Sequence, residues 1–159
     1  MRKLIIAFSI LVLVGCKSKK NAATEPPKPI AKVSKIAPDK VDDEQSAKAY
    51  DLGKRVLMTC NTSRFKPFTT DEATADVIKK TTQERLTKTC TNFRLKYGAF
   101  KDIQLVEVLR NRTDKTIIYR YKAGYQKKIA NKELRVIMNE KNQVAAIKSL
   151  DWKDVFVNK

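Results

Sequence analysis

The sequence predicts an α+β fold, with N-terminal helices packed on a curved, four-stranded antiparallel sheet. Three observations carry this. Up to Tyr97-Gly98 the apolar residues return at three- and four-residue steps, as on the buried stripe of a helix. Beyond Gly98 they alternate with polar residues in four runs separated by polar turns, as on half-buried strands. Helices followed by an antiparallel meander leave one face of the sheet for the helices to cover. The patterned stretch, residues 44–159, is long enough for one compact domain and too short for two.

The first helix is expected over residues 45–61, where Ala49, Gly53, Val56, Leu57 and Cys60 share a face. Asn61-Thr62-Ser63 ends it. Thr70-Asp71-Glu72 then has the polar and acidic character of a helix start. A helix or helix pair follows to Tyr97, carrying Val77 and Ile78 on one part and Leu86, Cys90, Phe93 and Tyr97 on the other. Gly98 terminates it. The four strands are expected over Ile103–Leu109, Thr116–Tyr125, Lys132–Asn139 and Gln143–Trp152. In the second, Ile117, Tyr119, Tyr121 and Ala123 fall on one face, and Ile118, Arg120 and Lys122 on the other. Asn111-Arg112-Thr113-Asp114 and Glu140-Lys141-Asn142 have hairpin composition.

This order, the Tyr97-Gly98-Ala99-Phe100 junction, and a closing strand with Val144, Ile147 and Leu150 resemble the cystatin-like and nuclear-transport-factor-like superfamily. The resemblance spans about residues 45–155 and implies a cone-like sheet. Isomerases of that superfamily use an acid and a tyrosine inside the cone. For such chemistry Asp76, Asp102, Tyr119 and Tyr121 would be the raw material, although no spacing singles them out from solvated charges and core tyrosines.

The N-terminus carries a separate signal. Met1-Arg2-Lys3 precedes eleven residues, 4–14, in which Ser9 is the only polar side chain, the pattern of an export signal. As a helix that run would span only about 16 Å, roughly half a hydrocarbon core. Leu13-Val14-Gly15-Cys16 resembles the bacterial lipobox, which implies cleavage between Gly15 and Cys16 and acyl chains on the Cys16 thiol. Residues 1–15 are therefore expected to be a lipoprotein signal peptide. Residues 16–43, rich in Lys, Ala and Pro and without apolar periodicity, are expected to tether the domain to a membrane. Lys17-Ser18-Lys19-Lys20 lacks the acidic residues that mark inner-membrane retention or surface display. The resemblance then implies the periplasmic face of an outer membrane.

With Cys16 lipidated, Cys60 and Cys90 remain as a pair on the apolar stripes of two helices. In an oxidising compartment they are either a disulfide or two buried thiols. The chain has no histidine, which removes histidine triads, histidine acid–base catalysis and the commonest transition-metal ligand. Its four glycines do not cluster into a phosphate loop, so no cofactor is expected.

Charge is the remaining signal. The chain has 34 Lys plus Arg against 17 Asp plus Glu; within residues 44–159 the balance is 25 to 13. Arg110, Arg112, Lys115, Arg120, Lys122, Lys127, Lys128, Lys132 and Arg135 crowd the first three strands. Interleaved with Tyr119, Tyr121 and Tyr125, they are expected to form a basic, aromatic surface. Export argues against nucleic acid as its partner and leaves anionic lipid, acidic glycan or an envelope protein. The alternatives are a basic surface without a ligand, a small-ligand carrier or cone-pocket enzyme, and a structural envelope protein.

Overall fold

The computed structural model describes residues 32–158. The expected signal peptide, Gly15, Cys16 and most of the expected tether lie outside the described residues. No described helix is long and apolar enough to cross a membrane.

The first long element is α1, Asp43–Thr62. The Asp42 side chain accepts from the Gln45 backbone N–H at 2.9 Å, satisfying one of the free donors of the first turn. Ser63, in the left-handed region at φ 56°, ends the helix. The pair anticipated after it is α2, Ala75–Lys80, and α3, Gln83–Tyr97, separated where Thr82 caps α3. A disulfide joins Cys60 of α1 to Cys90 of α3, with Cα atoms 4.7 Å apart.

Five strands form one antiparallel meander: β1 (Val33–Lys35), β2 (Phe100–Asn111), β3 (Thr116–Tyr125), β4 (Lys132–Met138) and β5 (Val144–Asp151), ordered β1-β2-β3-β4-β5. Two expectations are corrected here. Among the described residues the sheet has five strands, not four, and the fold includes residues 33–35 of the stretch assigned to the tether rather than starting at residue 44. β1 pairs Val33 with Asn111 and Lys35 with Leu109, and the Ile36 N–H donates to the Val108 carbonyl at 2.8 Å. Three residues are too few to display a period of two, which is why β1 leaves no pattern in the sequence.

The core lies between α1, α3 and the inner face of the sheet. Ala49, Leu52 and Val56 of α1 belong to one buried cluster with Ile103, Val108, Tyr119, Tyr121, Leu134, Val136 and Met138. Each such aliphatic side chain stabilises the fold by about 1.5–3 kcal/mol. Gly53 sets the spacing: a Cβ there would lie 2.8 Å from Val136 Cγ2 and 2.9 Å from Leu134 Cδ2. Register shifts in β2 between Phe100 and Asp102, and between Leu105 and Glu107, mark bulges that bend the strand over this core.

Candidate functional site

Strand alternation divides the expected basic, aromatic surface. Tyr119 and Tyr121 lie buried in the inner core, where desolvation pushes the Tyr119 hydroxyl up to about 12 and that of Tyr121 further still. The Tyr119 hydroxyl donates to Gln45 Oε1 at 3.1 Å. Tyr125 is buried in an aromatic cluster with Phe93, Tyr97 and Phe100. Above that cluster the ammonium of Lys132, also buried, sits 5.4 Å from the Phe93 ring and 2.8 Å from Asp151 Oδ1.

Arg120 points to the other face but is also withdrawn from solvent, at 0 % exposure. Its guanidinium pairs with Glu107 at 2.7 Å and Glu133 at 2.8 Å and donates to the Lys153 carbonyl, while the Trp152 ring covers it at 4.2 Å. Arg135, its cross-strand neighbour, pairs with Glu133, donates to the Val157 carbonyl at 2.8 Å and lies under Phe156 at 4.4 Å. The segment after β5 thus folds back over the part of the outer face that holds Arg120 and Arg135. Arg120, Tyr119 and Tyr121 are removed from the expected surface: the strand turns the tyrosines into the core and the returning segment buries the arginine.

The exposed cations separate into two ends of the sheet, about 30 Å apart along β2. At the β2–β3 hairpin stand Arg110, Arg112 and Lys115, lining a hollow of about 460 Å³ with Glu140 at its rim. The Arg112 N–H donates to the Lys32 carbonyl at 2.9 Å, so the chain enters the fold at this end.

At the opposite end, next to the β3–β4 loop, Lys101, Lys122, Lys127 and Lys128 line an open depression of about 580 Å³. Backbone pairing positions this end. The Gln126 N–H donates to the Ala99 carbonyl at 2.8 Å and the Lys127 N–H to the Tyr97 carbonyl at 3.0 Å. Gly98 must be glycine for this approach, since it adopts φ 77° and a Cβ would lie 2.9 Å from Gln126 Cβ. Asn61 holds the same corner from α1, accepting from the Phe100 N–H at 3.0 Å and donating to the Phe100 carbonyl at 2.7 Å. Sequence reasoning read Asn61 only as part of a turn.

Among the described residues Asp102 is the only acid lining the loop-end depression, and it is already engaged. It accepts from the Tyr50 hydroxyl at 2.8 Å and lies 3.1 Å from Lys54 Nζ; these two donors hold its carboxyl below the usual range. Asp76 pairs with Lys80 at 2.8 Å on an exposed turn of α2. The acids and tyrosines considered for cone chemistry are therefore not gathered in one pocket. A separate apolar cleft of about 270 Å³ lies between α1, α3 and β4–β5, lined by Val56, Leu86, Phe93 and Ile147 and flanked by the disulfide.

Lys101, the returning segment and the partner acids Glu107 and Glu133 were missing from the sequence reading. The available signal was the pair of acids two strands apart, facing arginines on the same side of the sheet. No family model, curated protein or solved structure matches the chain.

Proposed function

We propose that the protein is a lipid-anchored, non-enzymatic binding module of the bacterial envelope, held at the periplasmic face of the outer membrane by acyl chains on Cys16. Its binding surface is the loop end of the sheet. One observation carries this reading: Lys101, Lys122, Lys127 and Lys128 converge there, and Asp102, the one acid lining the depression among the described residues, is already paired with Lys54 and hydrogen-bonded by Tyr50. Such a surface attracts polyanions and binds them in a salt-dependent way. The two bulges of β2 support reading the domain as the cystatin-like or nuclear-transport-factor-like half-cone.

Binding of the mature chain to immobilised dextran sulfate at about 0.15 M salt tests the surface. Replacing the four lysines by Gln is expected to abolish retention, while Arg110→Gln with Arg112→Gln leaves most of it. Equal loss in both variants would refute the assignment to the loop end. For the anchor, wild type is expected to partition into detergent with the mass of an acylated Cys16, and Cys16→Ala to do neither.

The apolar cleft favours a second reading, a carrier of small apolar ligands. A solvatochromic hydrophobic probe should then bind at one site and be displaced by Leu86→Trp; no saturable binding would dismiss this reading.

A further inference from the structure

Two of the most exposed large apolar side chains in the described residues stand beside the loop-end lysines. Leu95, on the last turn of α3, and Ile129, in the β3–β4 loop, are each 73 % exposed. Lys127 links them: its Nζ donates to the Leu95 carbonyl at 2.8 Å, and its own carbonyl accepts from the Ala130 N–H at 3.1 Å. The aromatic cluster of Phe93, Tyr97, Phe100 and Tyr125 packs the same end of the domain, where α3 runs into β2.

We propose that this end is a peripheral membrane-docking surface, in which Leu95 and Ile129 enter the headgroup boundary of an anionic bilayer while Lys101, Lys122, Lys127 and Lys128 meet lipid phosphates. This rests on the loop-end assignment above and names its partner. A soluble polyanion satisfies the lysines and leaves both apolar side chains in water. A bilayer offers charge at its surface and hydrocarbon just below, matching apolar tips ringed by long cationic side chains. Attraction of the lysines to an anionic leaflet and withdrawal of the two apolar side chains from water then add to one another.

The chain enters the fold at the far end of the sheet, at Lys32. Residues 17–31, fully stretched, reach at most about 50 Å. That exceeds the length of the sheet, so an anchor at Cys16 permits the loop end to return to the same bilayer.

The test uses the mature chain with Cys16→Ser, so that no acyl chain contributes, sedimented with vesicles of phosphatidylcholine with or without phosphatidylglycerol. Binding is expected only with phosphatidylglycerol and is expected to fall as salt rises. Leu95→Ser with Ile129→Ser, both exposed and therefore harmless to folding, is expected to weaken it at least about tenfold while circular dichroism and Tm stay unchanged. Absence of vesicle binding, or a double variant that binds like wild type, would overturn the proposal. If vesicle binding is absent while dextran sulfate is still retained through the lysines, the membrane partner is wrong and the anion-binding reading stands. If both are absent, both fall.

Discussion

The inner face of the sheet lies beneath α1 and α3 and is filled with aliphatic and aromatic side chains, whereas the centre of the outer face lies beneath the short segment after β5 and holds Glu107, Arg120, Glu133 and Arg135. Helices bring enough bulk to make a hydrocarbon core; a single extended segment does not. The centre of the outer face is covered instead by pairing charges, laying Trp152 and Phe156 over the two guanidiniums, and directing the Lys153 and Val157 carbonyls at them. The inner face is stabilised by volume, whereas the centre of the outer face sets charges that are costly to bury alone against one another.

The largest expected effect comes from breaking that satisfaction. Arg120→Ala leaves Glu107 and the buried Glu133 without their shared partner and is expected to cost about 3–5 kcal/mol in chemical denaturation. Replacing the cluster as a whole, Arg120→Met, Glu133→Leu and Arg135→Met with Glu107→Gln, should recover most of that loss, because no buried charge is then left unpaired. If it does not, the outer face depends on charge in a way the inner face does not.

Replacing both Cys60 and Cys90 by Ser, which releases α1 from α3 on the inner side, is expected to cost about 2–4 kcal/mol under oxidising conditions. The same loss should appear when wild type is reduced. Gly53→Ala drives a methyl group against Val136 and Leu134 and is expected to cost about 1–2 kcal/mol, despite the better helix propensity of Ala. A stabilised variant would show the inner face to be loosely packed.

The smallest effect belongs to a partly exposed ion pair at the rim. Arg55 grips Glu72 through two hydrogen bonds, at 2.8 and 2.7 Å, and holds its carboxyl at about 2, below the ordinary 4.5. The stabilisation is complete above that ordinary value and is lost as pH falls through about 2. Glu72→Gln is therefore expected to cost about 1 kcal/mol at neutral pH, progressively less as pH falls below 4.5, and nothing once pH is below about 2, by thermal unfolding across the range.

Most of the architecture was legible because most elements bury one face. The second strand was read at Thr116–Tyr125, where alternation is unbroken, and α1 extends the expected helix by only a residue or two at each end. β1 was illegible because it is short and its stabilisation is supplied by β2. The exposed cations of the candidate site were legible as charge, but their grouping was not. Alternation already placed Tyr119 and Tyr121 opposite Arg120, so a single interleaved surface was excluded by the strand's own period. The burial of Arg120 depended on a segment whose destination no local pattern encodes. Leu95 falls off the stripe of Leu86, Cys90, Phe93 and Tyr97, so the helical period already turns it outward, but its place beside Lys127 is set by tertiary packing.

The segment that covers the centre of the outer face also sets an order of events. Residues 152–157 leave the ribosome after all five strands, and they would also be the later to cross a membrane in any chain threaded from its amino end. Until they arrive, Arg120 and Arg135 stand on an unshielded sheet face, open to water and to any stray acid. A chain cut short after Asp151 would therefore have its full meander yet leave Arg120 and Arg135 uncovered.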